Sequence, residues 1–248
     1  MPALPLLLSF MLLPPPKSPV DSLNIPDRFR GQIVVARPKK FRDKVVALTF
    51  DDGPDPKVTP SILATLRRFD AKATFFVLGS NVKLYPNVLK QAAAEGHAIG
   101  QHSWSHPAKA DPTKALNEFT RVRGLIKSLI GYTPIMYRPP YGITRNAMTP
   151  LARKELNTVV IWTMSDADTA TKSVEKVYRN VAFTPNPGEI VLMHDGYGKT
   201  WTAGALPKIL ATLKKKGFKF VTVPDLLRRY DKYLTAYPDR AGSRTWNL

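Results

Sequence analysis

The sequence predicts an α/β fold: a distorted (β/α) barrel of parallel strands, closed or left incomplete, with its active site at the C-terminal ends of the strands. Three observations lead there. Short β-branched runs alternate with segments of helical apolar spacing from Lys44 almost to the C-terminus. The intervals between successive runs suit parallel βα units rather than hairpins. Asp51, His102, Arg138, the stretch Ser165 to Asp168 and His194 all fall at or just past a predicted strand end, where such folds present reactive groups.

The elements follow in order. "VVALTF" (45–50) is a β-branched run and reads as a strand. "TPSILATLRRF" (59–69) has a Thr cap, Pro in the first turn and apolar residues at helical spacing. "ATFFVLG" (73–79) is a strand, "YPNVLKQAAAEG" (85–96) a helix closed by Gly, and "HAIGQH" (97–102) a short strand. The longest helix is 111–131, again ending on Gly, and "IMYRPPYG" (135–142) is a strand running into a loop. "NTVVIWTMS" (157–165) reads as one strand and 173–183 as a helix. "GEIVLMH" (188–194) is a strand, 203–217 a helix, 219–223 a strand and 224–233 a final helix. No internal repeat is evident.

Composition narrows the classes. A chain of 248 residues with 44% hydrophobic and 23% charged residues can bury an ordinary core. It has no cysteine, which excludes disulfides, thiolate metal sites and a cysteine nucleophile. The formal net charge of +18 favours anionic partners. No zinc-finger spacing or aromatic ribonucleoprotein motif accompanies that charge, so no nucleic-acid partner is expected. The excess is heaviest from Lys208 to Leu248, where ten Lys/Arg face three Asp.

The apolar run Leu4 to Leu13 is too short to span a bilayer and matches the apolar region of a secretory signal, although no Lys or Arg precedes it. The expected organisation is a signal or apolar segment over 1–20, a Pro-rich basic linker or edge segment over 21–43, a catalytic domain over 44–235 and a basic tail over 236–248. Export to the cell envelope or beyond is expected, with membrane association through the N-terminus alone.

Two motifs carry chemistry. In "LTFDDGPD" Asp51 and Asp52 stand side by side at the end of a buried strand. Adjacent carboxylates near a core repel and lose hydration, which raises a pKa unless a cation or hydrogen-bond donors compensate. In "HSWSH" (102–106) two histidines lie at i and i+4. On a helical turn they share one face and converge on one ion. Joined to a strand-end carboxylate they make a His-His-Asp set with coordination positions left open, the pattern of a catalytic metal site. His97 follows a Gly and reads as a packed or capping histidine. "GYGKT" (196–200) lacks the first glycine of a phosphate loop and is not read as one.

"TFDDGPD", "HSWSH", "RPPYG" and "LMHDG", in this order across roughly Val45 to Leu227, resemble the polysaccharide deacetylases of carbohydrate esterase family 4. The resemblance implies that Asp52, His102 and His106 hold a divalent metal, zinc or a zinc-like ion such as cobalt, and that Asp51 is the general base. It implies that Arg138 tethers Asp51, where a bidentate guanidinium would keep the base ionised and aimed. The Tyr141 backbone N–H would face the acetyl oxygen, Leu192 would shape the slot for the acetyl methyl, and His194 would be the general acid. The adjacent carboxylates then have a reason: one holds the metal while the other reaches the attacking water.

One block departs from the family pattern of Trp, then Asp-x-x-Asp-Trp. Here "WTMSDADT" keeps Trp162 beside the sugar and Asp168, the aspartate that orients the catalytic histidine. It places Ser165 on the first Asp and Thr169 on the final Trp. The implied activity is removal of N-acetyl groups from N-acetylglucosamine-type units of a peptidoglycan or chitin-like polysaccharide in an anionic cell wall. Two other readings are acetyl ester hydrolysis, as on acetylated xylan, and a non-enzymatic wall-binding module with a decayed site. The intact Asp51, Asp52, His102, His106, Arg138 and His194 weigh against decay.

Overall fold

A computed structural model describes residues 24–183 and 185–240; the apolar run Leu4 to Leu13 and the tail beyond 240 lie outside the described residues. Nine strands form one sheet: β1 (Ile33–Val34), β2 (Val45–Asp51), β3 (Thr74–Val77), β4 (Ala98–Gln101), β5 (Met136–Tyr137), β6 (Thr158–Val160), β7 (Met164–Ser165), β8 (Glu189–His194) and β9 (Lys219–Phe220). The order is β1-β6-β5-β4-β3-β2-β8-β7, with β9 beside the start of β2, and every pairing is parallel. Helices connect them: α1 (Val58–Arg68), α2 (Gly79–Leu84), α3 (Pro86–Ala94), α4 (Pro112–Ile130), α5 (Met148–Lys154), α6 (Val174–Ala182), α7 (Thr200–Lys215) and α8 (Val223–Ala236).

The sheet curls into a barrel that does not close by strand pairing. The expected single strand 157–165 is two strands at opposite ends of the sheet. Ile161 N–H still donates to Val34 on the β1 side, while Thr163 N–H already donates to Ile190 on the β8 side. The chain crosses the open seam at Trp162. The sequence reads as one run because both halves are apolar and β-branched; only the curl of the sheet separates them.

Alternation along each strand divides two cores. On β2, Val46, Leu48 and Phe50 face the helices, while Val45 and Ala47 join the barrel interior. Thr49 and Asp51 continue that inner row by period. On β8, Ile190 lies inside and Val191 and Met193 outside, so Leu192 and His194 follow Ile190 inward. Helix α8 plugs the opposite end: Leu226, Leu227, Tyr230 and Leu234 share the inner core with Ile25 and Phe29 of the lead-in. The lead-in thus supplies an edge strand, β1, and core side chains. Two helices lack a sequence expectation, α2 and α5; each has seven residues or fewer and sits in a stretch that reads as loop. Among the described residues no helix is long and apolar enough to cross a membrane.

Candidate active site

Asp51, Asp52, His102, His106, Tyr141, Trp162, Thr169, Leu192 and His194 line one cavity of about 380 Å³ at the C-terminal ends of the strands. The β2/β8 register sets Asp51 beside His194 and Thr49 beside Leu192. The loops that close the cavity are tightly turned. Asp52, Ser103, His106, Tyr141, Ala167 and Tyr197, all non-glycine, adopt positive φ, a conformation that persists only where surrounding contacts impose it.

The contacts that impose it are on the first two loops. A Cβ on Gly196 would lie 2.4 Å from the Asp52 carbonyl oxygen, and one on Gly53 would lie 2.3 Å from the Asp195 carboxylate. Only glycine lets these turns interlock. Asn81 donates to the Asp52 carbonyl at 2.7 Å. Asp55 accepts from the backbone N–H of Lys57 and Val58 at 2.8 Å each, holding the turn that leads into α1.

The histidine pair converges, but not on a helix. Residues 102–106 form a loop in which Ser103 and His106 have φ of 72° and 60°. Glu118 of α4 clamps it, accepting from the backbone of Trp104 and Ser105 and from the Ser105 hydroxyl at 2.6–2.8 Å. His102 Nδ1 donates to the Arg138 carbonyl at 2.7 Å, which leaves Nε2 with its lone pair toward the cavity.

This set fits a divalent cation. Ligand atoms of Asp52, His102 and His106 all lie within 4.8 Å of one another. Asp52 Oδ1 is 3.6 Å from His102 Nε2 and 3.5 Å from His106 Nε2, and it is buried with no hydrogen-bond partner. Burial holds both imidazoles below their ordinary pKa, so each offers a neutral ring nitrogen. Burial raises the Asp52 carboxyl; His102 opposes that and Asp51 adds to it. A carboxylate left in this state is stabilised by a positive ion.

Arg138 is fully buried and its Nη1 donates to Asp51 Oδ1 at 2.7 Å and to Thr49 Oγ1 at 2.8 Å. The contact to Asp51 is through one oxygen, not the expected bidentate pair. Nε donates to the Val160 carbonyl at 3.0 Å instead, and the guanidinium carbon lies over the Phe76 ring, 4.1 Å from its centroid. Asp51 Oδ2 remains toward the ligand set, 3.8 Å from His102 Nε2.

Asp168 lies behind His194. Its Oδ1 accepts from His194 Nδ1 at 2.6 Å, and its Oδ2 accepts from the His194 backbone at 2.9 Å and from Thr202 Oγ1 at 2.7 Å. Burial alone would lower the His194 pKa; the Asp168 hydrogen bond and the charges of Asp51, Asp168 and Asp52 outweigh it and push it up to about 9. Among the described residues Asp166 makes no hydrogen bond to the ring; it accepts from the Asp168 backbone at 2.9 Å. Tyr141 has φ 57°, its ring rests edge-on against His106 at 4.4 Å, and the residue is 61% exposed. Trp162 packs on Gly142, where a Cβ would meet its ring at 2.6 Å. Ser165 lies outside this cavity, and His97 is remote from it, buried with Nδ1 accepting from Ala73 N–H at 3.2 Å.

Sequence reasoning passed over Thr49, Glu118, Asp195 and Thr202. Thr202 and Glu118 sit on helices with no local signal. Asp195 directly follows His194; its Oδ2 accepts from Thr59 Oγ1 at 2.6 Å, and burial pushes its carboxyl up to about 7.

The chain is similar to known proteins. A family model described as polysaccharide deacetylase matches residues 38–160. A peptidoglycan-N-acetylglucosamine deacetylase of Bacillus cereus is 38% identical over 187 residues, covering 74% of this chain and 68% of its own. The crystal structure of the Bc1960 peptidoglycan N-acetylglucosamine deacetylase superposes with a TM-score of 0.73 at 36% identity, covering 79% of this chain and 94% of that one. The peptidoglycan deacetylase PdaC of Bacillus subtilis gives a TM-score of 0.70 at 34% identity, covering 80% and 96%.

Proposed function

Because the chain belongs to the polysaccharide deacetylase family, we propose that it removes N-acetyl groups from N-acetylglucosamine-type units of peptidoglycan, with Asp51 as base, His194 as acid and zinc on Asp52, His102 and His106. It is a hydrolase of the amide bond of N-acetyl groups. A divalent cation on those three side chains supplies polarisation of the acetyl carbonyl and lowers the pKa of water.

The protein's own groups supply the rest. Asp51 accepts the proton of the attacking water on Oδ2, while Arg138 holds Oδ1 at 2.7 Å. The water oxygen bonds to the acetyl carbon as its proton passes to Asp51; the C–N bond then breaks once the nitrogen is protonated, giving acetate and a free amine. The amine leaves only if protonated, and His194 is the donor. With Nδ1 committed to Asp168, Nε2 is the ring nitrogen available in the cavity. Leu192 and Trp162 give the acetyl methyl and the sugar their apolar walls.

The single observation that carries this reading is the opposed pair of buried carboxylate contacts: Asp51 on Arg138 and Asp168 on His194. Together they aim a carboxylate that can take a proton and an imidazole that can give one into a single cavity. A positioned acid behind a leaving amine favours amide over ester chemistry. Export to the envelope belongs to the same proposal, supported by the apolar run Leu4 to Leu13 and by a glycan substrate. Acetate release from N-acetylglucosamine oligomers or peptidoglycan, compared with acetylated xylan, tests it. Release from the amide substrates is expected, and release from xylan alone would replace it with the ester reading.

A further inference from the structure

The +18 charge is not spread evenly over this fold. In parallel βα units the C-terminal ends of the helices meet the N-terminal ends of the strands, opposite the cavity. Lys214 and Lys215 close α7, Lys216 caps it and Lys219 starts β9; all four are exposed. Lys44, before β2, donates to the Lys216 carbonyl at 3.1 Å, and Lys216 Nζ to the Ala182 carbonyl at the end of α6 at 2.6 Å, so these turns form one patch. Arg67 and Arg68 end α1 at the same end of the sheet.

Helix α8 extends the patch. It crosses this end of the barrel, from Val223 N–H on Thr74 Oγ1 of β3 to Tyr230 on the Gly188 carbonyl before β8. Between α8 and residues 40–43 lies a groove of about 820 Å³ in which Lys40, Arg42, Arg229 and Lys232 interleave with Tyr233 and Tyr237. Asp43 is the one acid among its lining residues, and it is paired with Arg229. Cations in a helix's last turn are favoured by the backbone dipole, which accounts for one or two per helix. It does not account for Lys40, Arg42, Lys44 or Lys219, which lie on the loops and strands. At the cavity end the loops 52–57, 102–111, 138–147, 166–173 and 195–199 balance six Asp against six Lys and Arg.

We propose that this basic end docks on an anionic phospholipid bilayer, with the catalytic cavity turned away from it. Three observations select a bilayer over a soluble polyanion. The cations come from several elements at one end of the molecule, α7, β9, α8 and residues 40–44, rather than from one cleft. Tyrosines stand among them, as at a membrane interface. The chain enters the fold here: the Asn24 carbonyl accepts from Arg228 at 2.7 Å and Arg28 pairs with Asp231 at 2.6 Å, both on α8, and the apolar run Leu4 to Leu13 lies upstream of that entry. Each Lys or Arg near an anionic leaflet strengthens binding roughly fivefold, so a single apolar segment is supplemented by a broad electrostatic contact.

The test uses the full chain and vesicles of phosphatidylcholine with or without phosphatidylglycerol. Lys214→Gln, Lys215→Gln, Lys219→Gln and Lys232→Gln are combined, and acetate release from a soluble oligomer serves as the fold control. The wild-type chain is expected to sediment more strongly with phosphatidylglycerol vesicles and to lose that preference in high salt. The combined variant, lacking four cations, should lose roughly 600-fold on those vesicles, with no change on phosphatidylcholine alone. Equal binding to both vesicle types, persistence of the preference in high salt, an unaltered combined variant, or capture by soluble polyglycerol phosphate in place of vesicles would overturn the proposal.

Discussion

His194 keeps its proton because Asp168 accepts its Nδ1–H at 2.6 Å and neighbouring carboxylates add their charge, while burial works the other way. Activity that needs this imidazolium is present below a pKa near 9 and falls as pH rises through it. Asp168→Asn removes the anion, so the basic limb of the rate profile should move to lower pH, and the amide-cleaving kcat/KM should fall roughly 10²–10⁴-fold. Asp166→Asn should change little. Burial first, and the Asp168 charge second, push the Asp166 carboxyl up to about 8, so an amide replaces a group already protonated at neutral pH. pH–rate profiles of both variants decide between the two. At this scale most of the cavity was legible: Asp51, Asp52, His102, His106 and His194 carry chemistry in their residue types and spacing. Thr202 and Thr49 were not. A threonine hydroxyl behind a carboxylate or guanidinium leaves no pattern in sequence, because only the fold brings it within 2.7–2.8 Å.

Among the elements, α4 illustrates how a helix reaches into the site. Its Glu118 holds three donors of the histidine loop, so Glu118→Ala should free residues 103–106 and weaken metal binding by roughly 10–100-fold. Calorimetric titration of the metal reads this, with Glu118→Gln expected to recover part of the loss by keeping an acceptor. The longest helix was read correctly from Asp111, which caps it by accepting from Lys114 N–H, to Gly131 in the left-handed conformation. The histidine pair was read on a helical turn and lies on a loop, since i,i+4 spacing does not report the positive φ of Ser103 and His106. The run 157–165 was read as one strand because period and β-branching are local, whereas the seam at Trp162 is set by the closure of the whole sheet. Short α2 and α5 escaped because their packing partners, not their propensities, make them helical.

The whole molecule puts an ion site at one end and a cationic surface at the other. An ion at free concentration c that binds the folded chain and not the unfolded one stabilises it by RT ln(1 + c/Kd), and so raises Tm. Zinc should therefore raise the melting temperature of the wild-type chain by several degrees, roughly 2–4 °C per kcal/mol for a chain of this size, and a chelator should reverse it. Differential scanning calorimetry checks this, with Asp52→Asn expected to show no rise. On the proposed roles two adjacent carboxylates divide the work, Asp52 holding the ion and Asp51 taking the proton. The most direct test measures zinc content and acetate release from an N-acetylglucosamine oligomer in parallel, for the wild-type chain, Asp51→Asn and Asp52→Asn. Asp51→Asn is expected to bind zinc as the wild type does and release no acetate, while Asp52→Asn is expected to lose both. An Asp51→Asn chain without zinc alongside an Asp52→Asn chain that retains it would reverse the two roles.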